Sequence, residues 1–229
     1  MKKNLVVLTG AGISAESGLK TFRDSDGLWE GYEITSVATP GAWKRNPQLV
    51  LKFYNLRRKD ILAAEPNDAH YGLVALEQDY QVTIITQNID DLHERAGSTN
   101  VVHLHGQIFK MRSERNPELV YNITDDIKLG DTAKDGAQLR PHIVWFEEEV
   151  PMIPTAVSIV SNADIFVVAG TSLVVYPAAG LVNYAHRGIP KFIIDKRIPY
   201  TVALINLTII EKPATEGIKD LIKMLGNLT

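Results

Sequence analysis

The sequence predicts a doubly wound α/β fold, in which helices cover both faces of a parallel sheet. Short apolar strands such as Leu5–Leu8 and Asp164–Ala169 alternate with helical segments along the 229 residues. This alternation implies crossover connections between parallel strands. The pattern is interrupted by polar segments that form a smaller inserted module. We therefore expect a Rossmann-like domain made of residues 1–30, 80–110 and 140–229, and a module made of residues 31–79 and 111–139.

Hydrophobic patterning predicts the remaining elements in order. Strands are expected at Leu5–Leu8, Gln81–Thr86, from Val101 to an end at His105, Val120–Ile123, Ile143–Phe146, Asp164–Ala169, Lys191–Ile194 and Ile205–Ile210. Helices are expected after Gly12 and at Pro47–Ala64, Asn67–Gln78, Pro154–Asn162, Ala178–His186 and Ile218–Leu225. In the first long helix, Leu49, Phe53 and Leu56 are expected to face the core. Residues 111–139 are polar, and we expect them to leave the main sheet, with a hairpin turn at Asn116–Pro117.

Composition excludes several functional classes. The chain has no cysteine, so disulfides, thiol catalysis and cysteine-ligated metals are ruled out. A net charge of −3 gives no reason to expect nucleic acid or an anionic membrane as a partner. The apolar run after Lys3 is too short for a secretion signal. We expect a cytoplasmic protein, monomeric and without a membrane segment.

The turn after the first strand suggests phosphate binding. Gly10-Ala11-Gly12 follows an apolar strand, the arrangement by which α/β proteins present backbone N–H groups to a phosphate. The third glycine of the dinucleotide fingerprint is replaced by Ala15, so the match is partial. An ordinary strand-to-helix turn is the competing interpretation.

Polar or glycine-rich segments also follow four other predicted strands. They are Gln87-Asn88-Ile89-Asp90, His105-Gly106, Gly170-Thr171-Ser172 and Asp195. Ligands bind at the carboxyl ends of parallel strands, so we expect these segments to form one site. His105 is the candidate general base, because a neutral imidazole accepts a proton near pH 7. His103 lies two residues earlier, and its position does not exclude it.

Six ordered motifs resemble the sirtuin family. They are Gly10-Ala11-Gly12-Ile13-Ser14, Thr21-Phe22-Arg23, Thr86-Gln87-Asn88-Ile89-Asp90, His105-Gly106, Val144-Trp145-Phe146 and Gly170-Thr171-Ser172-Leu173-Val174-Val175-Tyr176-Pro177. The resemblance extends from Leu5 to about Leu225. It implies an NAD-dependent deacylase acting on acyl-lysine proteins, in the bacterial and mitochondrial branch that accepts acidic acyl groups.

The resemblance also implies residue roles. His105 and Asn88 would be catalytic, with His105 activating a ribose hydroxyl after the acyl oxygen attacks the ribose carbon. The products would be nicotinamide, free lysine and O-acyl-ADP-ribose. NAD would be bound by Gly10, Ala11, Gly12, Ser14, Ala15, Glu16, Thr21, Phe22, Arg23, Trp29, Gln87, Asn88, Ile89, Asp90, Gly170, Thr171, Ser172, Asp195 and Ala214.

Tyr54 and Arg57 are the candidates for acyl recognition. They share a face of the predicted helix and match the family's pair that holds an acyl carboxylate. Ala38 would leave room for a longer acyl group. Spacing alone also fits a solvated surface pair of Arg57 and Arg58. The acylated peptide would lie between two segments, with Val144, Trp145, Phe146, Val175 and Tyr176 in contact with it.

The chain departs from the family in three places. The four zinc cysteines are missing, so no zinc or other metal is expected in the small module. At position 147 this chain has a glutamate where the family has a glycine. The backbone of Glu147 would be strained if its φ is positive. Asp195 replaces an asparagine on the adenosine side. Two alternatives stay open: ADP-ribosyl transfer or NAD hydrolysis on the same fold, and a non-enzymatic NAD-binding module.

Overall fold

Six parallel strands form the central sheet of the computed structural model, which describes residues 2–20, 28–29 (backbone only), 31–198 and 204–226. The strand order is β11-β10-β9-β1-β4-β5. These strands are β1 (Asn4–Thr9), β4 (Gln81–Thr86), β5 (Val101–His103), β9 (Ile165–Ala169), β10 (Lys191–Ile194) and β11 (Leu207–Ile210). In register, Leu8 lies between Ile85 and Val168. The predicted doubly wound parallel sheet is confirmed.

Helices cover both faces of this sheet, because alternate side chains of each strand point to opposite sides. The helices are α1 (Ile34–Val37), α2 (Pro40–Arg45), α3 (Pro47–Ala63), α4 (Asp68–Leu76), α5 (Leu92–Ala96), α6 (Ile153–Ser161) and α7 (Ala214–Gly226). Leu5 and Val7 pack in the core formed with α4 and α7. Val6 and Leu8 pack in the opposite core with α6.

A small antiparallel sheet forms the inserted excursion. It contains β6 (Gly106–Ser113), β7 (Val120–Asn122) and β8 (Leu139–Ile143), in the order β7-β6-β8. The predicted hairpin and edge strand after Pro117 are confirmed by the antiparallel pairing of β6 with β7. A two-stranded ribbon, β2 (Leu28–Trp29) with β3 (Tyr32–Glu33), precedes α1.

The strand expected to end at His105 is confirmed as β5 (Val101–His103). The chain forms β5, which pairs with β4 in the parallel sheet, and then β6, which pairs in the antiparallel sheet. Leu104 and His105 lie between the two strands. The excursion therefore begins at Gly106 instead of residue 111.

Three further elements differ from expectation. Two short 3₁₀ helices, Ala11–Ile13 and Ala15–Ser17, stand where a helix was expected after Gly12, because glycine and serine disfavour an α-helix there. The segment Ala178–Tyr184 is also a 3₁₀ helix. The strand expected at Ile143–Phe146 ends at Ile143, since β8 belongs to the small sheet and the chain then turns.

Helix α3 buries Phe53 and packs the partly buried Leu49 against the core as predicted, but it leaves Leu56 exposed. Its first turn is capped by the Asn46 side chain, which accepts the Leu49 N–H at 3.0 Å. Leu56 is 46% exposed, whereas Arg57 and Arg58 are only 7% and 1% exposed. The surface-pair interpretation of the two arginines is therefore wrong. Arg58 donates to the Ile108 and Asp125 carbonyls and so ties α3 to the small sheet.

Candidate functional site

The carboxyl ends of four parallel strands open into one cavity of about 650 Å³, a size typical of small-molecule sites. Gly10, Gln87, Gly170 and Asp195 follow β1, β4, β9 and β10 and all line it. The wall is completed by the end of α3 and by the segments after β8 and β9. The strand ends are therefore brought together as the sequence predicted.

Two glycine turns press against each other at the base of the cavity. Gly12 donates its N–H to the Gly170 carbonyl at 2.8 Å, and Gly10 donates to Ala169 at 3.1 Å. A Cβ on Gly12 would lie 2.7 Å from the Gly170 oxygen, so no larger residue fits. Gly170 itself has a φ of 64°. The turns leave a cradle of small residues at strand ends, which fits the pyrophosphate of a dinucleotide.

A hydrogen-bonded chain connects this cradle to the end of β4. The Asn88 side-chain amide donates to the Gly10 carbonyl and to the Ser14 hydroxyl, both at 3.1 Å. Ser14 in turn donates to the Asp90 carboxylate at 3.2 Å. Burial raises the pKa of Asp90, although its bonds from Leu92 N–H and Ser14 oppose the change. The Asn88 and Asp90 side chains are thus fixed before any ligand binds.

His105 has the features of a general base. Its Nδ1 lies 2.9 Å from the Gln87 carbonyl, which only accepts hydrogen bonds, so this nitrogen carries the proton. Nε2 is left with the free lone pair. Burial lowers the pKa of His105, partly offset by the Gln87 bond, so the ring is neutral at pH 7. The side chain lines the cavity.

The other histidine left open by the sequence does not line the cavity. His103 contacts the Asn88 carbonyl through Nδ1 at 3.2 Å and the Glu94 carboxylate through Nε2 at 2.7 Å. These contacts hold it behind the site. Its role is to support the backbone at Asn88.

The inner end of the cavity combines a phenol, a guanidinium and apolar walls. Tyr54 and Arg57 project from α3 and line it together with Ala38. Arg57 donates to the Lys20 carbonyl at 3.4 Å. Complete burial raises the pKa of Tyr54 above its usual value, which keeps the phenol protonated. This end of the cavity is therefore cationic but otherwise largely apolar.

Two chain segments border the outer cleft. Val144 donates its N–H to the His105 carbonyl and Phe146 donates to the Ala38 carbonyl, both at 3.0 Å. Across the cleft, Val175 and Tyr176 line the opposite wall, and Tyr176 is 73% exposed. Trp145 is buried beneath the first segment.

Nearly all described candidates from the sequence lie on this cavity. Those that line it are Gly10, Ala11, Gly12, Ser14, Ala15, Ala38, Tyr54, Arg57, Gln87, Asn88, Ile89, Asp90, His105, Val144, Trp145, Phe146, Gly170, Thr171, Ser172, Val175, Tyr176, Asp195 and Ala214. Glu16 does not. Its carboxylate instead accepts the Thr215 N–H at 3.3 Å and the Thr215 hydroxyl at 3.0 Å, at the start of α7.

Four candidates cannot be placed. Thr21, Phe22 and Arg23 lie outside the described residues, and Trp29 is described by its backbone alone. Their assignment to NAD binding stays a prediction.

Sequence reasoning missed several residues of the site. Lys196 and Arg197 line the cavity directly after Asp195, and the strand-end rule that selected Asp195 would have found them. Glu147, which the sequence comparison had singled out, also lines the cavity. Arg140 is buried behind Trp145, a contact across the chain that no local pattern signals.

The part of the chain that the structure describes has neither a cluster of metal-ligating side chains nor a membrane-spanning helix. Within residues 2–20, 31–198 and 204–226, no three histidine or acidic side chains are grouped so that they could hold a metal ion. None of the helices described is both long and apolar enough to cross a bilayer.

Comparison with known proteins gives consistent matches. The Sir2 family pattern matches residues 10–177. The chain is 53% identical over 223 residues to an NAD-dependent protein deacylase of Helicobacter pylori, covering 97% of both chains. It is 52% identical to an NAD-dependent protein deacylase of Bacteroides thetaiotaomicron, covering 97% and 98%. A solved Sir2 homologue–NAD complex superimposes with a TM-score of 0.87 at 38% identity, over 99% of this chain and 91% of that one.

Proposed function

Because this chain belongs to the Sir2 family and is an NAD-dependent protein deacylase, we propose that it preferentially removes succinyl and malonyl groups from lysine. Acetyl-lysine is then a poorer substrate. The observation that supports this preference is the pairing of Tyr54 and Arg57 at the inner end of the cavity.

A buried guanidinium favours an acyl group that ends in a carboxylate. Arg57 is 7% exposed and lies among apolar residues such as Ile34 and Ile61 that also line the cavity. Desolvation of a cation is costly, and a carboxylate compensates for it where a methyl group does not. Charge-assisted hydrogen bonds from Arg57 and Tyr54 are worth about 1.5–3 kcal/mol each. The small Ala38 side chain leaves room for the longer acyl chain.

The strand-end residues have the geometry for the reaction itself. NAD supplies the electrophilic ribose carbon and nicotinamide as the leaving group. The glycine cradle binds the phosphates, and Asn88 and Asp90 hold the ribose and nicotinamide end. His105 accepts a proton at Nε2 from a ribose hydroxyl, because its Nδ1 proton is committed to the Gln87 carbonyl.

The peptide that carries the acyl-lysine has a place in the outer cleft. We propose that it lies extended between residues 144–146 and residues 174–176, and adds a strand between them. The acyl-lysine side chain then passes inward toward Tyr54 and Arg57. Deacylation in this arrangement consumes NAD and one water molecule and releases nicotinamide, free lysine and O-acyl-ADP-ribose.

One comparison tests the acyl preference. Succinyl-, malonyl- and acetyl-lysine peptides of one sequence are assayed with NAD for kcat/KM. We expect Arg57→Met to lower succinyl turnover by about 10- to 100-fold, since 1.4 kcal/mol is a factor of ten, and to lower acetyl turnover far less. Arg45→Met is the matched control, because Arg45 donates to the Thr35 carbonyl away from the cavity. Equal losses on all three peptides in Arg57→Met would refute the carboxylate contact.

The same assay separates deacylation from the two related NAD activities. Nicotinamide release that needs the acyl peptide, and that collapses in His105→Ala, supports deacylation. Nicotinamide release at the same rate without the peptide would instead indicate ADP-ribosyl transfer or NAD hydrolysis.

A further inference from the structure

Glu147 occupies an unusual position at the rim of the active-site cleft. Glu148 donates its N–H to the Trp145 carbonyl at 3.1 Å, which closes a tight turn with Phe146 and Glu147 at its centre. Glu147 has a φ of 73°. This value matches the third residue of a type II turn, where glycine or asparagine is usual. A glutamate here costs free energy that glycine would avoid.

The neighbouring carboxylate has entirely different surroundings. Glu148 is held by Arg140 at 2.8 Å, lies 3.7 Å from Arg112 and accepts the Trp145 N–H at 2.8 Å. Its charge is therefore compensated within the protein. Glu147 is exposed and forms no hydrogen bond or ion pair with any residue that the structure describes. Its charge is directed at solvent in the cleft.

The segment proposed as the other cleft wall, Val174, Val175 and Tyr176, contains no charged side chain, and both Val174 and Tyr176 are largely exposed. A peptide placed between residues 144–146 and 174–176 therefore lies beside the Glu147 carboxylate. The cationic Lys196 and Arg197 also line the cavity, but they follow β10 at a different strand end. Charged groups at such a rim act mainly on partner selection and capture.

We propose that Glu147 selects substrates in which a lysine or arginine directly flanks the acylated lysine. This inference rests on the proposed function, in that the peptide lies between residues 144–146 and 174–176. Glu147 attracts a cationic flanking side chain and repels an acidic one. Arg57 recognises the acyl group inside the cavity, whereas Glu147 recognises the peptide residues outside it.

Matched peptides test the proposal. Each has a central succinyl-lysine flanked on both sides by arginine, glutamine or glutamate, and kcat/KM is measured at low ionic strength. We expect the arginine peptide to exceed the glutamate peptide by about fivefold, as for an exposed ion pair. The ratio falls toward one at about 1 M salt, where the Debye length is about 3 Å.

Three variants assign the effect to this carboxylate. Glu147→Gln and Glu147→Gly both bring the arginine-to-glutamate ratio close to one, and Glu147→Gly also raises the melting temperature because it relieves the positive φ. Glu149→Gln removes an exposed charge two residues away that does not line the cavity, and it keeps the ratio. The proposal is overturned if Glu147→Gln retains the ratio, or if Glu149→Gln lowers it equally.

The test is independent of the acyl preference. If acetyl peptides prove to be the better substrates, the same flanking series is run with acetyl-lysine, since Glu147 lies outside the acyl end of the cavity. A failure of the succinyl preference then appears in the acyl comparison, and a failure of Glu147 appears in the flanking ratio.

Discussion

The guanidinium of Arg140 lies 3.2 Å from the centre of the Trp145 ring and holds this buried indole in place. Arg140 also forms two hydrogen bonds to the Glu148 carboxylate, at 2.8 and 3.1 Å, and Glu148 accepts the backbone N–H of Trp145. The three residues close a loop between the small sheet and the cleft. Trp145 in turn packs against Trp43, with ring centres 5.7 Å apart.

We therefore predict that Arg140→Met is strongly destabilising. The change leaves Glu148 without its main counter-charge and removes the cation from the Trp145 face, and breaking a buried pair in this way costs about 3 kcal/mol or more. Urea unfolding measures the loss. Lys59→Met breaks an exposed pair with Asp126 and should cost no more than about 1 kcal/mol. Similar losses in the two variants would show that the Arg140 contacts contribute little.

The loss of enzymatic activity at low pH should reflect the protonation of His105. Burial lowers its pKa from the usual value of 6.5, and only the neutral ring accepts a proton. We expect kcat/KM to decline in acid with a midpoint below pH 6.5. Peptide turnover measured from about pH 5 to pH 8 locates the midpoint. A midpoint above 6.5 would contradict the assignment of His105 as the base.

Protein stability should also decline in acid, for a separate reason. Burial lowers the pKa of His70 to about 4 and that of His93 well below 6.5. The unfolded chain then binds more protons than the folded one below pH 6.5, so the free energy of unfolding decreases as pH falls from 6.5 toward 4. Each histidine contributes a slope of up to about 1.4 kcal/mol per pH unit.

His70→Gln should reduce this slope without loss of helix α4. His70 accepts the Asn67 N–H at 3.2 Å as the third residue of a capping box, a position where glutamine is also favoured. His186→Gln, which removes an exposed histidine, is the control. Urea unfolding at several pH values provides the measurement. An unchanged slope in His70→Gln would mean that His70 does not titrate on unfolding.

Much of the site was predictable because the signals for it lie within short stretches of the sequence. Apolar strands ending in glycine or polar residues are visible in the sequence, and a parallel sheet brings their carboxyl ends together. This explains why Gly10, Asn88, Gly170 and Asp195 were found together with His105. The prediction needed no knowledge of which helix packs where.

The errors arose where pairing or burial depends on distant residues. The polar composition of residues 111–139 marks the excursion from the main sheet, but only the partner strands show that it already begins with β6 at Gly106. Arg57 and Arg58 are polar, so the spacing of α3 taken alone also allowed the alternative of a surface pair. Their burial is compensated by contacts with Lys20, Ile108 and Asp125, which no helical periodicity contains.

His105 lies in the short segment that connects the parallel sheet to the small antiparallel sheet, so its position depends on both sheets. Three residues after β5 ends, at Gly106, the chain has already begun β6, and a Cβ on Gly106 would lie 2.0 Å from the His142 carbonyl oxygen. His105 is thus held on one side by the parallel strands and on the other by the small antiparallel sheet. That sheet has no cysteines through which a metal ion could stabilise it. Substitutions that loosen the hydrophobic packing of that module, at positions remote from the cavity, would displace His105 and slow proton transfer. The stability of the module and the catalytic rate therefore depend on the same packing.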